Sequence, residues 1–98
     1  MPRFAANLDF LFTELPFEAR FEAAARAGFV GAELLFPHAT PPARIAALAR
    51  DAGLTLVQVN LPPGDWAAGE RGLAALPGRE ADFRASLEAG LDYAVACG

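Results

Sequence analysis

Residues 50–60 read RDAGLTLVQVN, which places the end of a helix, a glycine turn and a strand next to one another. Leu54–Asn60 alternates apolar and β-branched residues as strands do, and Gly53 stands where a helix commonly ends in left-handed backbone. The same order occurs at residues 25–29, ARAGF, with Gly28 lying 25 residues before Gly53. This recurrence predicts a chain that alternates helices and strands.

Three such units account for nearly the whole chain. The pattern predicts strands at Arg3–Leu8, Phe29–Phe36 and Leu54–Asn60. Because a helix between successive strands favours a right-handed parallel crossover, the predicted fold class is α/β, with three parallel strands and helices on one face of the sheet. Gly98 occupies the position of the two earlier glycines, so we expect the single domain, residues 1–98, to stop just before a fourth strand.

Apolar spacing places the helices between these strands. One is predicted over Phe17–Ala27, and Thr40 is expected to cap a second that Pro41 and Pro42 open. A third is predicted over Arg79–Ala96. Its expected inner face comprises Phe83, Leu87, Gly90, Leu91 and Ala94.

Alternation along a strand assigns each side chain to one face of the sheet. The face expected to pack against the helices contains Phe4, Ala6, Leu8, Val30, Ala32, Leu34, Val57 and Val59. The opposite face carries Asn7, Glu33 and Asn60 near the carboxyl ends of their strands, the edge where ligands bind in parallel α/β folds. We therefore expect these three polar side chains to form one wall of a site.

Each of these polar residues also has a purely structural interpretation. Asn7 and Asn60 can hold strand ends through local hydrogen bonds as readily as they can bind a ligand. An inward carboxylate is costly unless paired or solvated, which favours Glu33 at the site mouth over a salt bridge to a neighbouring arginine. His38 follows Pro37 in a turn, and we interpret it as a solvated loop histidine rather than a metal ligand or a base.

The segment NLPPGDWAAGERG at residues 60–72 is a long connection at the same edge of the sheet. Long loops there commonly bind or cover ligands. Arg71 suits the carboxylate of a small 2-oxo or 2-hydroxy acid through two parallel hydrogen bonds, and Trp66 can close over that ligand. Aromatic residues after the first two strands either line an apolar wall of this site or pack in the core: Phe10, Phe12 and Phe36.

These motifs resemble the hydroxypyruvate isomerase family. The match comprises residues 60–72, LPGRE at 76–80, ELLFP at 33–37, and FAANL and LFTELP within residues 4–16, so it covers nearly the whole chain. The resemblance implies a xylose-isomerase-like (β/α)₈ barrel, of which this chain holds the first three βα units. It also implies an intramolecular oxidoreductase of carbohydrate and glyoxylate metabolism. Such an enzyme interconverts hydroxypyruvate and tartronate semialdehyde, or a related 2-oxo-tetronate, by proton transfer.

The same resemblance places the catalytic residues outside this chain. The family's two proton-transferring glutamates, and any ligands of a divalent metal, lie on later strands. Residues 1–98 are therefore expected to contribute substrate-binding residues only and to be inactive alone, with no cofactor or metal held by this chain. The expected substrate-binding residues are Asn7, Glu33, Asn60, Trp66 and Arg71.

Composition excludes several other classes. The net charge is −4 and the eight arginines are scattered singly, so no basic stripe exists for nucleic acid. No run approaches the ~20 apolar residues of a membrane span, and Asn7, Asp9 and Glu14 interrupt any secretory signal, so we expect a cytoplasmic protein. One cysteine, Cys97, and one histidine, His38, cannot build a disulfide or a zinc site.

Two other functions remain open. A small non-catalytic α/β module could bind a carboxylate or self-associate, because three parallel strands leave two open edges. A sugar-phosphate isomerase or epimerase could use the same barrel with a different substrate.

Overall fold

The computed structural model describes all 98 residues, Met1–Gly98. In chain order it contains β1 (Ala5–Asn7), α1 (Ala19–Arg26), β2 (Gly31–Leu34), a 3₁₀ turn (Pro37–Ala39), α2 (Pro42–Ala52), β3 (Thr55–Val59) and α3 (Glu80–Cys97). The strands form one sheet in the order β1-β2-β3, and both pairs are parallel. The predicted α/β fold with three parallel βα units is confirmed. None of the helices has the length and apolar character needed to span a membrane.

Glycines end the helices at the predicted points. Gly28 follows α1 with φ +99°, and Gly53 caps α2 with φ +74°. A side chain would be strained in this left-handed backbone, so each glycine allows the chain to leave a helix and enter the next strand. Gly98 has the same conformation after α3, with φ +93°.

The core lies between one face of the sheet and the helices. Its largest fully buried side chains come from the first two βα units: Leu8, Phe21, Leu34 and Ile45. Burying each of them stabilises the fold by about 1.5–3 kcal/mol. The alternation predicted for β1 and β2 therefore holds where their residues are paired.

The strands are shorter than predicted, and two apolar residues before them are exposed. Phe4 and Val30 were expected to pack against the helices, but their side chains are 64% and 46% exposed. Both precede the paired residues of β1 and β2, so alternation along the strand does not apply to them. They line a shallow cavity at the amino ends of the strands.

A β-bulge in β3 changes which side chains share a face. Ala32 pairs with Leu56, but Glu33 pairs with Gln58, so Val57 is the additional residue. The prediction that Val57 packs against the helices is wrong, because it is 53% exposed. Leu56 packs against the core instead, and Gln58 lies beside Glu33 on the face away from the helices.

α3 packs through a face rotated from the predicted one. Its buried residues are Ser86, Gly90 and Tyr93, and of these only Gly90 was expected. Leu87 and Leu91, which were predicted to face inward, are 36% and 56% exposed. The apolar pattern misassigned the face because a buried hydroxyl, not a leucine stripe, orients the helix.

The Tyr93 hydroxyl sets this orientation. It donates to the carbonyl oxygens of Pro37 at 2.9 Å and Thr40 at 2.5 Å. The prediction that Thr40 caps α2 is also wrong, because Pro41 occupies the cap position and no side chain caps the helix. Thr40 instead supplies a backbone carbonyl to Tyr93, which ties α3 to the connection between β2 and α2.

Candidate functional site

Polar side chains form a row across the open face of the sheet, at the carboxyl ends of the strands. Asn7 pairs with Glu33 in the register of β1 and β2, and Glu33 pairs with Gln58 of β3. Gln58 Nε2 donates to Asn60 Oδ1 at 2.9 Å. The structure thus brings Asn7, Glu33 and Asn60 to one edge, as predicted, and adds Gln58. We call these four residues the polar row.

Asn7 also has a structural function. Its Oδ1 accepts the backbone N–H of Asp9 at 3.0 Å, and Asp9 Oδ2 accepts the N–H of Leu35 at 2.6 Å. These bonds tie the loop after β1 to the end of β2. Because they use only the carbonyl oxygen of the Asn7 side chain, its amide nitrogen can still donate to a ligand.

Glu33 carries the only carboxylate of the polar row. It is half-buried, and the alternative salt bridge to an arginine does not form. The arginines that pair with carboxylates have other partners: Arg26, Arg44, Arg50 and Arg79. An unpaired carboxylate on the open face can accept hydrogen bonds from ligand hydroxyl groups.

The loop between β3 and α3 folds back to form a cavity of about 450 Å³ at the end of the polar row. Asn60, Trp66 and Arg71 line it together. Phe36 forms an apolar wall, with its ring centroid 5.0 Å from that of Trp66. Phe12 packs edge-on against Phe29 instead.

Arg71 is held against Trp66. Its Cζ lies 3.5 Å from the centroid of the indole ring, and its Nη1 donates to the carbonyl oxygens of Trp66 and Glu70, both at 2.9 Å. This cation–π stack fixes the plane of the guanidinium. Nε and Nη2 form neither of these bonds, so one edge of the group can bind a carboxylate.

Glu70 closes the loop. Its Oε2 accepts Arg79 Nη1 at 2.6 Å, and its Oε1 accepts the backbone N–H of Asp65 at 2.8 Å. The bond from Arg79, followed by that from Asp65, lowers the pKa of Glu70. This pair was not apparent from the sequence, because Glu70 adjoins Arg71, whereas its partner lies nine residues away at the start of α3.

His38 is not the solvated loop histidine that we predicted. It is half-buried, its Nε2 lies 2.9 Å from the carbonyl oxygen of Asn60, and its ring packs edge-on against Tyr93 with the centroids 5.0 Å apart. Since a carbonyl oxygen only accepts, Nε2 carries the proton and donates. His38 therefore holds the backbone at the end of β3.

The polar row contains one ionisable side chain, Glu33, and three amides. No three His, Cys, Asp or Glu side chains in the structure lie close enough to hold a metal ion. The polar row offers one carboxylate and three amides, which do not fit a divalent cation without further ligands. A metal in a longer barrel stays a prediction, and no chemical step of this chain depends on one.

Known proteins match the whole chain. The chain is 54% identical over 98 residues to the 2-oxo-tetronate isomerase of Cupriavidus necator and 48% identical over 98 residues to the hydroxypyruvate isomerase of Escherichia coli K12. Each match covers 100% of this chain and 38% of the relative. The chain therefore spans well under half the length of the curated relatives. No family model matches it.

The fold matches a solved structure equally well. The crystal structure of an AP endonuclease, family 2, from Brucella melitensis aligns with a TM-score of 0.94 at 54% identity, covering 99% of this chain and 38% of that chain. This match confirms the predicted architecture, the first three βα units of a xylose-isomerase-like barrel. The names of the curated relatives confirm the resemblance to the hydroxypyruvate isomerase family.

Proposed function

We propose that this homologue of the hydroxypyruvate and 2-oxo-tetronate isomerases provides the substrate-binding rim of a barrel that isomerises a small 2-oxo acid. The reaction interconverts hydroxypyruvate and tartronate semialdehyde, or a related 2-oxo-tetronate, by moving a proton between adjacent carbons. The observation that carries the proposal is the stacked Arg71–Trp66 pair, which shares a cavity with Asn60.

Each residue of the substrate-binding rim has a defined task in this proposal. The rim comprises the polar row and the residues of the neighbouring cavity: Phe36, Trp66 and Arg71. The free edge of Arg71 binds the substrate carboxylate, and Trp66 and Phe36 exclude water above it. The Asn60 amide donates to the oxo oxygen, which develops negative charge as the proton leaves the neighbouring carbon. Glu33 accepts a hydrogen bond from a substrate hydroxyl.

The chain lacks the remaining parts of the reaction. Proton transfer between two carbons requires a base for one carbon and an acid for the other, and Glu33 has no second ionisable side chain in the polar row. We therefore expect residues 1–98 to bind substrate without turnover. As the resemblance to the family implies, we expect the base and the acid to lie on later strands of a longer barrel.

The name of the Brucella relative suggests a competing function, cleavage of nucleic acid. The charge distribution disfavours it for this chain. The net charge is −4 and the eight arginines are scattered singly along the chain, and four of them are paired with carboxylates. Few cations remain to neutralise phosphates, and binding of nucleic acid depends mainly on such cations.

A chimera tests the proposal. Residues 1–98 replace the matching segment of the Cupriavidus necator 2-oxo-tetronate isomerase, and isomerisation of hydroxypyruvate and of a 2-oxo-tetronate is measured. We expect turnover. Arg71→Met should raise KM for these carboxylates about 10- to 100-fold with a smaller change in kcat, because it removes a charge-assisted bond of about 1.5–3 kcal/mol. Arg84→Met, an exposed arginine on α3, is the matched control.

Two results would count against the proposal. A chimera that is folded but inactive on both substrates would show that residues 1–98 do not provide the substrate-binding residues of such an isomerase. If Arg71→Met instead impaired neutral sugars as strongly as carboxylates, the substrate class would be wrong, and a sugar-phosphate isomerase or epimerase would be the better reading.

A further inference from the structure

We infer that His38 and Gln58 are positioning residues, which together fix Asn60 so that its side-chain amide presents an N–H donor to the substrate. This inference rests on the proposed function, because it assigns a purpose to the orientation of Asn60. Neither His38 nor Gln58 lines the cavity that Asn60 shares with Trp66 and Arg71. Both act through Asn60.

The backbone of Asn60 is held on two sides. Its N–H donates to the carbonyl oxygens of Leu34 at 3.3 Å and Leu35 at 3.2 Å, at the end of β2. Its carbonyl oxygen accepts the Nε2 proton of His38 at 2.9 Å. His38 thereby fixes the peptide group at which β3 ends and the long loop begins.

His38 is itself held rigidly. Its ring packs edge-on against Tyr93, and the Tyr93 hydroxyl donates to carbonyl oxygens on both sides of it, those of Pro37 and Thr40. Tyr93 is only 8% exposed. The buried face of α3 therefore fixes the His38 ring through Tyr93. The fixed ring in turn holds the backbone of Asn60 through its hydrogen bond.

The side chain of Asn60 is held by Gln58. The bulge at Val57 sets the register in which Gln58 pairs with Glu33 on the open face, and bulges are common next to binding sites. Gln58 Nε2 donates to Asn60 Oδ1 at 2.9 Å. This bond orients the amide and occupies one lone pair of Oδ1, so the Nδ2 protons are the groups that Asn60 has free to donate to a ligand.

The consequence is a fixed donor beside a fixed cation. Asn60 and Arg71 line the same cavity. A 2-oxo acid bound there can therefore accept from Arg71 through its carboxylate and from Asn60 through its oxo oxygen. In an amino acid, an ammonium group replaces the oxo oxygen. It would face the N–H groups of Asn60, although an ammonium group needs a hydrogen-bond acceptor. The arrangement therefore favours hydroxypyruvate over serine.

The test uses the full 98-residue chain labelled with ¹⁵N. The order parameter of the Asn60 side-chain amide is measured by NMR relaxation, with the Asn7 amide as internal reference, and hydroxypyruvate and serine are titrated as ligands. We expect an order parameter of ~0.85 for Asn60, the value typical of rigid backbone amides, and a value below ~0.6 in Gln58→Met and in His38→Leu. The Asn7 value should not change. The Kd for hydroxypyruvate should rise at least about fivefold in both variants.

Rescue separates positioning from general stability. His38→Gln keeps an N–H donor near the position of Nε2, and we expect it to restore the order of Asn60 and most of the affinity. Gln58 is exposed, so Gln58→Met should leave the thermal midpoint nearly unchanged while it weakens binding. An Asn60 amide that stays ordered in both variants, or losses of affinity that only follow losses of stability, would overturn the inference.

The two proposals fail in different ways. If the wild-type chain does not bind hydroxypyruvate, the proposed function loses its support, whereas the order parameters still decide whether His38 and Gln58 fix Asn60. If hydroxypyruvate binds equally well to wild type and to both variants, the proposed function stands and the positioning role is rejected.

Discussion

Arg79 Nη1 donates to Glu70 Oε2 at 2.6 Å, and this bond joins the long loop after β3 to the start of α3. The loop carries Trp66 and Arg71, so the shape of the candidate site depends on an ion pair that contributes no atom to substrate binding. Glu70 also accepts the N–H of Asp65 at 2.8 Å, which closes the loop on itself. The ionised Glu70 and Arg79 therefore help to preorganise the site, together with the backbone hydrogen bonds of the loop.

Arg79→Met should loosen this loop. The substitution keeps the aliphatic part of the side chain and removes the donors to Glu70 and Asp82. We expect faster hydrogen exchange at the amides of Glu70 and Gly72, which are bonded within the loop. Arg84→Met removes an exposed arginine from the same helix and should leave these rates unchanged. Equal rates in both variants would show that the ion pair does not hold the loop.

Acid should open the same loop. The hydrogen bond from Arg79 is the largest cause that lowers the pKa of Glu70 below its ordinary value of 4.5. A carboxyl group with a lowered pKa in the folded state stabilises that state above pH 4.5, and this contribution is lost as the pH falls through the lower folded pKa. Fluorescence of Trp66, the single tryptophan, should report the opening. Glu70→Gln should remove the acid transition, and an unchanged transition would assign it to another group.

Gly64 should tolerate a side chain less well than Gly69. Both have left-handed backbone, with φ of +92° and +95°, so alanine is strained at either position by about 1 kcal/mol or more. A Cβ on Gly64 would also lie 2.8 Å from Glu70 Oε1 and 2.9 Å from Leu73 Cδ2, whereas nothing lies within 4 Å at Gly69. Thermal unfolding should show a larger loss for Gly64→Ala. Equal losses of stability in the two variants would mean that backbone strain, and not the close contacts at Gly64, determines the cost of the side chain.

The single tyrosine should show a delayed titration. Burial, with Cys97 nearby, raises the pKa of Tyr93 from 10.0 to about 12. A raised folded pKa means that the stabilising contribution is complete below pH 10 and is lost as the pH rises towards 12. Ultraviolet absorbance of tyrosinate should therefore titrate near pH 12 in the folded chain and near 10 after denaturation.

Tyr93→Phe tests the hydroxyl directly. It removes the donor to Pro37 and Thr40, and we expect the free energy of unfolding to fall by about 1–2 kcal/mol at neutral pH. The alkaline loss of stability should disappear in this variant. A Phe variant as stable as wild type would show that the two carbonyl oxygens find water instead.

The repeat of helix, glycine and strand was sufficient to predict the fold. The left-handed glycines and the alternating strands are local features, and local rules determine them. The face assigned to α3 was wrong because a long-range contact orients this helix. Tyr93 reaches more than 50 residues back along the chain to Pro37, so no apolar period could identify the buried face of α3.

The candidate site was predictable in part for the same reason. Asn7, Glu33 and Asn60 lie together because parallel strands bring their carboxyl ends to one edge. Alternation along β3 also places Gln58 on this face, but nothing in the sequence predicts its hydrogen bond to Asn60. The bulge between Ala32 and Glu33, which exposes Val57, has no signal in the sequence either. Glu70 and His38 were not recognised because their partners are set by how the loops fold back.

The exposed apolar residues on the open face predict self-association of the isolated chain. Val57 is 53% exposed, and the outer edges of β1 and β3 have no partner strand, so a second copy can cover both features. Sedimentation velocity should show species that grow with concentration. Val57→Lys should reduce their fraction, because a charge on this face opposes burial. Val95→Lys, at a 79% exposed position on α3, is the control and should have little effect. If Val95→Lys reduced association and Val57→Lys did not, the contact between copies would lie on α3 and not on the open face of the sheet.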